Sequence, residues 1–403
     1  MLKKVSRYAE KIIIHRILVN LSKNNLDEII FLLLIWNIVC GFPISMNNLF
    51  TLNKLIIERY LYNSENINAL LKNFITTDNL HTIFLFQKLS AALGFFTTSL
   101  KFHQKYLSTT IKKAHQVPTL NNLINGIRAS IAAEDLVLTK EFFFRCRDIQ
   151  IKKEMHKMFF FNLKQYLQFC DNLKDESTNS AFPLSRIVDR KDVLIIGPSE
   201  TTWNFSSVPS DDLITIRKIA VGADTFQGER YEKFDIAYTD NYYFREKINI
   251  SDWMTSNGVQ LIITNALVPN NNFSIVGHSP NGLFVSGGAN RLQFMIFDLI
   301  FSNPKRIFID GNNFYANKNV YIDSGGEIDH FGNQVNSNGS TLIPYSLCNS
   351  LAEHNIFVNR SFFKNLCKNS SIFLSDKMKS VVDMTNEEFA LTLDTLHGNF
   401  KMN

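Results

Sequence analysis

Closely paired cysteines are missing from this chain: Cys40, Cys146, Cys170, Cys348 and Cys367 are odd in number, widely spaced and never in a CxxC pattern. That speaks against a disulfide framework or a structural zinc site and leaves reduced, mostly buried thiols of a cytoplasmic protein as the expectation. No secretory leader is evident, and no apolar run is long enough to cross a bilayer as a straight helix. The strongest run, residues 29–42, is interrupted by Asn37 and closed by Gly41 and Pro43, whereas a span needs about 20 residues. It reads as a buried core helix. The alternative is an interfacial helix that, with the basic segment before it (Lys3, Lys4, Arg7, Lys11, Arg16), makes peripheral contact with anionic lipid on the inner membrane face. A charge excess is lacking as well. The net charge of +5 is dispersed over 403 residues, and with no RNP, zinc-finger or basic-zipper pattern a nucleic-acid partner is not expected.

What is present is an ordinary globular composition, 45% hydrophobic and 20% charged, which excludes wholesale disorder. The 35 phenylalanines imply a large aromatic core. Length suggests two or three domains, and the periodicity changes once along the chain. Residues 1–180 carry apolar positions at spacings of three and four over 2–22, 26–39, 52–62, 66–74, 80–107, 120–133 and 138–173, which predicts an α-helical domain. It shows no chemistry: His15, His81, His103, His115 and His156 read as surface or packing residues. A polar break over 174–190 reads as the linker. Residues 181–403 then alternate short apolar runs with helices, the pattern of an α/β domain with a mostly parallel sheet. Strands are expected at 193–196, 213–216, 236–238, 261–264, 284–285, 306–309 and 356–358, and helices at 289–302, 344–354 and 386–396. Thr385 and Glu388 form a capping box for the last helix.

Three features of this half carry chemistry. The first is the run from Asp192 to Ser199, a buried strand ending in Gly197-Pro198-Ser199. In doubly wound folds ligands lie at the carboxyl ends of strands, and glycine lets the backbone approach a phosphate. A plain turn is the competing reading, since this is neither a Walker A loop nor GxGxxG. The second is Ser286-Gly287-Gly288 opening a helix, where backbone N–H groups meet an anion or, equally, where a helix packs tightly on a sheet. The third is Asn312-Asn313-Phe314-Tyr315 after a strand, with Tyr321 six residues on and His330 in a Gly-rich stretch. Phenols donate to a phosphate without adding charge, although taken alone the two tyrosines read equally as aromatics packed into a core edge, and an imidazole is the natural base toward a sugar hydroxyl. Amides of Asn265, Asn312 and Asn313 near strand ends suit ribose or base; His278 reads as a loop residue without a role or, alternatively, as a hydrogen-bond donor to a phosphate, and His354 as a structural helix-end residue.

At these residues the sequence resembles the bacterial sialyltransferases of glycosyltransferase family 42, typified by Campylobacter lipooligosaccharide enzymes. That family ends its first strand in Gly-Asn-Gly-Pro-Ser, opens a helix with Thr-Ser-Gly, follows a strand with Ile-Asp-Phe-Tyr and a second Tyr six residues on, and places a His in a lid. The matching order here is Gly197-Pro198-Ser199, Ser286-Gly287, Asn313-Phe314-Tyr315, Tyr321 and His330. It covers roughly residues 191–370. The resemblance implies a Rossmann-like, GT-A-variant fold and a CMP-sugar donor, with no cofactor and no metal. It also implies a glycan or glycolipid acceptor of lipooligosaccharide or capsule type, Tyr315 and Tyr321 on the CMP phosphate, and His330 as general base. The Gly197, Pro198, Ser199 turn and the Ser286, Gly287, Gly288 turn would face the nucleotide.

The sequence also departs from that pattern. Ile195-Ile196 stands where the family has Gly-Asn, the arginine before the Ser-Gly turn is absent unless Arg291 or Arg217 replaces it, and His330 follows Tyr321 by only nine residues. The carboxylates Asp310, Asp323, Glu327 and Asp329 leave a metal site as a minority reading, although no DxD occurs. Two other functions remain open on the sequence: a metal-dependent, pyrophosphokinase-like nucleotide enzyme, and a non-catalytic scaffold with a nucleotide fold. For residues 1–180 the roles considered are membrane docking, oligomerisation and acceptor binding.

Overall fold

The computed structural model describes residues 80–147 (position 93 excepted), 154–173, 182–197, 212–218, 234–239, 250–264, 274–316 and 354–397, with positions 75, 78 and 208. The helices expected over 2–22, 26–39, 52–62 and 66–74, the apolar run 29–42 and all but the last residue of the 344–354 helix lie outside these residues. So do Cys40, Cys348 and Asn265.

Seven strands form one sheet: β1 (Asp192–Ile196), β2 (Leu213–Lys218), β3 (Ile236–Thr239), β4 (Leu261–Thr264), β5 (Ser274–Val276), β6 (Arg306–Asp310) and β7 (Ile372–Leu374). Their order is β5-β4-β3-β2-β1-β6-β7, and every neighbouring pair is parallel. This is an α/β, Rossmann-like sheet. β1, β3 and β4 are buried along their whole length, as expected of parallel strands covered on both faces. The β1–β6 pair at the centre is pinned at both ends. Asp192 and Arg306 are in register and share two hydrogen bonds, at 2.8 and 2.6 Å, and the Gly197 N–H donates to the Asp310 carbonyl at 2.8 Å.

The described helices are α1 (Leu80–Ala92), α2 (Phe96–Gln116), α3 (Leu120–Ala132), α4 (Leu136–Arg147), α5 (Glu154–Cys170), α6 (Pro183–Val188), α7 (Ile250–Asn257), α8 (Arg291–Ile300), α9 (Ile356–Leu366), α10 (Asp376–Asp383) and α11 (Asn386–His397). The chain divides into two compact units. One contains α1, α2, α11 and the first residues of α9; the other contains α3–α8, the sheet, the rest of α9 and α10. The sheet unit therefore draws in helices that precede the polar break at 174–190.

In the first unit, α1 stops at Gly94, whose φ is +77°. Phe95 N–H reaches back to the Ser90 carbonyl and Gly94 N–H to that of Ala91, the paired bonds that close a helix on a left-handed residue. The single helix expected over 80–107 is therefore two. The start of α2 is capped from α11: the Asp394 carboxylate accepts from the N–H groups of Phe96 and Thr97 at 2.6 and 3.0 Å, where the helix dipole favours an anion. His103 is buried in the core of this unit and stacks on Phe357. The capping box forms as expected: Thr385 N–H donates to Glu388 at 2.7 Å, and Glu388 N–H to the Thr385 hydroxyl at 3.1 Å.

In the sheet unit, side-chain alternation separates two faces. Leu194, Ile196 and Phe308 share one face, with Val208 and Leu213 against them. The same face carries Ala237 and Ile262, covered by α7 through Ile250, Trp253 and Met254. On the opposite face the Tyr238 hydroxyl donates to Asp298 of α8 at 2.7 Å. The fully buried Arg360 of α9 donates to the carbonyls of Val381, Val382 and Met384 at the end of α10, satisfying orphan acceptors there.

Several expectations are corrected. Residues 356–358 are not a strand but the start of α9. The β-branched run suggests extension, yet Val358, Phe362 and Leu366 repeat every four residues. No strand forms at 284–285; the edge strand is β5, and a 3-10 turn follows at Pro280–Leu283. Residues 138–173 hold two helices, α4 and α5. The second part of the expected linker is α6, with Pro183 at its first turn and Leu184 and Val188 buried. Among the described residues no helix is long and apolar enough to cross a membrane. Cys146 and Cys170 are buried free thiols, pushed up to about 11 and about 12 by burial; Cys367 is also free and raised for the same reason.

Candidate functional site at the carboxyl edge of the sheet

Strand order reverses between β1 and β6: the chain runs outward from β1 to β5, then returns to the other side of β1. In open parallel sheets the ligand crevice lies at the carboxyl ends of the strands flanking such a switch. Gly197 ends β1 at that point, and β6 ends beside it in Asp310-Gly311. A Cβ on Gly197 would lie 2.2 Å from the Gly311 carbonyl oxygen and 3.0 Å from the Asn312 Cβ. Only glycine permits this approach. Two segments that are far apart in sequence, the Gly197 turn and the loop bearing Tyr315, thus start from one backbone contact.

That loop has an unusual backbone. Gly311, Phe314 and Tyr315 have φ of +66°, +50° and +66°, and left-handed conformation is costly for residues with a side chain. The asparagines offset the cost locally. The Asn313 side-chain oxygen accepts from Tyr315 N–H at 3.1 Å, and that of Asn312 lies 3.4 Å from Phe314 N. Phe314 is buried against Phe363, which leaves Tyr315 half-exposed at the loop's end. Asn312 and Asn313 therefore shape the loop that presents Tyr315. Asp310, buried at the end of β6, accepts from Ser375 Oγ at 2.6 Å and Gly311 N–H at 2.8 Å.

The Ser286-Gly287-Gly288 turn leads into α8, as expected, with Gly287 at φ +75°. It is held from two sides. Asn281 accepts from Ala289 N–H at 2.7 Å, and Asn359 of α9 accepts from Asn290 N–H at 2.8 Å while donating to the Gly288 carbonyl at 3.0 Å. The N–H groups of Ala289 and Asn290 are thus engaged within the protein, the tight-packing arrangement that the sequence left open for this turn.

One group of residues is not assembled by sequence reasoning. Lys218 ends β2 and is paired in register with Tyr238 of β3. The phenol of Tyr238 donates to Asp298 Oδ2, while Asp298 Oδ1 takes the backbone N–H of His278 at 2.6 Å and lies 2.9 Å from its Nδ1. Gly277 allows this, since a Cβ there would be 2.5 Å from Asp298 Oδ2. The imidazole stacks on Phe301 at 4.2 Å and meets Phe182 edge-on. His278, read from the sequence as a loop residue without a role or as a phosphate contact, joins a buried polar chain through Asp298. Burial raises both the Asp298 carboxyl and the Tyr238 phenol. Desolvation, aided by the nearby Arg291 charge, lowers the Lys218 ammonium to about 7, and burial lowers Arg291 to about 10. Only the polar positions inside otherwise apolar strands, Arg217-Lys218 and Tyr238, hint at this in the sequence.

Pro198, Ser199, Tyr321 and His330 lie outside the described residues, as do Asp323, Glu327 and Asp329. Among the described residues no group of His, Cys, Asp or Glu is arranged to hold a metal ion. Comparison with protein-family models, curated proteins and solved structures gave no match.

Proposed function

We propose that the chain is an inverting glycosyltransferase moving sialic acid, or a related keto sugar, from a CMP donor to a hydroxyl of a surface glycan or glycolipid. The observation that carries this reading is the backbone contact of Gly197 with Gly311. It sets Gly197 beside the start of the Tyr315 loop at the switch point of a parallel sheet, where nucleotides bind in such folds. In this reading the sheet unit is a GT-A-variant catalytic domain, and the unit that holds α1, α2 and α11 serves membrane docking, assembly or acceptor binding.

The chemistry follows from the residue types. The acceptor oxygen attacks the anomeric carbon as the bond from that carbon to the CMP phosphate oxygen breaks, and His330 takes the hydroxyl proton. Tyr315 and Tyr321 donate to the departing phosphate, which stabilises its charge without binding it as tightly as a cation would. Configuration inverts. General-base assistance contributes ~10²–10⁴-fold, so His330→Ala should slow CMP release from CMP-sialic acid by about that factor while CMP binding persists. The release should be insensitive to EDTA. Full activity of His330→Ala would remove His330 from the mechanism, and abolition by EDTA would favour the pyrophosphokinase-like alternative.

A further inference from the structure

We propose that His278 is the base of a second site, in which its Nε2 takes the proton of a hydroxyl on a neutral ligand while Asp298 holds the ring. The inference is independent of the transfer reaction. It starts from a tautomer. A carboxylate only accepts hydrogen bonds, so Asp298 Oδ1, 2.9 Å from His278 Nδ1, places the ring proton on Nδ1 and leaves the lone pair on Nε2. The same oxygen takes the His278 backbone N–H at 2.6 Å, and the Tyr238 hydroxyl occupies Oδ2 at 2.7 Å. The carboxylate is thus fixed by three donors. The ring is fixed as well: Phe301 stacks on it with centroids 4.2 Å apart, and Phe182 meets it edge-on at 4.5 Å. Gly277 makes room for this, since a Cβ there would lie 2.5 Å from Asp298 Oδ2 and 2.9 Å from the Ile263 side chain.

Exposure shows which end of the ring faces outward. The His278 side chain is 24% exposed and that of Asp298 0%. Nε2 has no hydrogen-bond partner among the described residues, yet it is not one of the sealed polar atoms. His103 is the contrast: a packing histidine, 1% exposed, whose Nε2 is sealed. A buried carboxylate, an oriented imidazole and an outward lone pair together make a base and the group that positions it. When Nε2 gains a proton, the imidazolium faces Asp298, whose charge stabilises it. The surroundings set the ligand class. Besides Asp298 the ring touches Phe182 and Phe301, and the negative charge behind it opposes an anion at Nε2, so a neutral hydroxyl suits the place. His278 follows β5 by two residues, and Tyr238 lies on β3. These strands stand four and two places from β1, roughly 19 and 10 Å at the usual spacing. The site is therefore not the Gly197 crevice.

The test is cleavage of p-nitrophenyl acetate by the full chain. In this probe the oxygen of water bonds to the acetyl carbon as its proton passes to Nε2. The bond from that carbon to the p-nitrophenolate oxygen then breaks, and the imidazolium returns its proton to solvent. Release of p-nitrophenolate should slow in heavy water and fall by about tenfold or more in His278→Gln. Asp298→Asn should also lower it, and Tyr238→Phe should lower it less, because the carboxylate keeps its charge and both bonds to His278. A ring held by Asp298 for packing alone would do the opposite and react faster once loosened. Diethyl pyrocarbonate, which acylates an unprotonated ring nitrogen, needs no variant. It should modify His278 in the unaltered chain and abolish the cleavage, and methyl galactoside should protect His278 where inorganic phosphate does not. Cleavage unchanged in His278→Gln, faster cleavage in Asp298→Asn, an unmodified His278, protection by phosphate, or no protection by methyl galactoside would each overturn the proposal.

Discussion

Gly197 shows how much one residue decides at the strand switch. Its missing side chain lets two strand ends meet at the backbone, and the Gly311 carbonyl cannot rotate out of the way as a flexible side chain would. Gly197→Ala should therefore cost at least the ~1–3 kcal/mol typical of overpacking, seen as a lower urea midpoint. A neutral outcome would mean that the two turns are not in contact. The importance of Gly197 is legible in the sequence because a glycine that ends an apolar strand marks a place of close backbone approach. The left-handed pair Phe314-Tyr315 is not legible, since neither residue type advertises that conformation. Asn312 and Asn313 stand out in the sequence as amides near a strand end; that their side-chain oxygens accept from the loop's own N–H groups is not legible there.

Among the elements, α8 and α9 frame the site through a few side chains. Asn359 of α9 is fully buried and satisfies both the Asn290 N–H and the Gly288 carbonyl. Asn359→Leu keeps the volume but leaves both groups unsatisfied, which at ~1–3 kcal/mol each predicts a loss of roughly 2–4 kcal/mol in denaturant unfolding. A loss under about 1 kcal/mol would show that the turn before α8 does not depend on this clamp. Strands of five or six residues with continuous apolar runs, such as β1 and β2, are readable from their pattern, as is the Thr385–Glu388 cap of α11. The three-residue edge strands β5 and β7 are not, because three residues carry no period. The start of α9 reads as a strand because Ile356-Phe357-Val358 favours extension locally, and tertiary packing of Phe362 and Phe363 overrides that preference.

For the whole molecule, acid stability depends on a residue far from the sheet in sequence. His103 is held buried by the first unit, accepting at Nδ1 from Gln87 Nε2 at 3.1 Å, and burial lowers it to about 4 from 6.5. The unfolded chain thus binds a proton that the folded one refuses, so the stability is present above about pH 6.5 and is lost as pH falls toward 4. The shift corresponds to roughly 3 kcal/mol. Urea midpoints measured between pH 7 and 4 should fall less steeply for His103→Leu than for the unaltered chain; parallel curves would contradict the assignment. The division of the chain is only partly legible. The polar break at 174–190 marks where strands begin, but the sheet unit also holds α3–α5 from before the break, because their apolar faces are completed by residues that come much later in the chain.

The central claim is that the strand ends around Gly197 receive a CMP-activated donor. Thermal unfolding of the full chain with saturating CMP, CDP, UDP or GDP tests it most directly, since a ligand at a hundred times its Kd stabilises by about 2.7 kcal/mol. CMP should raise the melting temperature by a few degrees, and UDP and GDP by less. No shift with CMP, or a larger shift with UDP or GDP, would contradict the account.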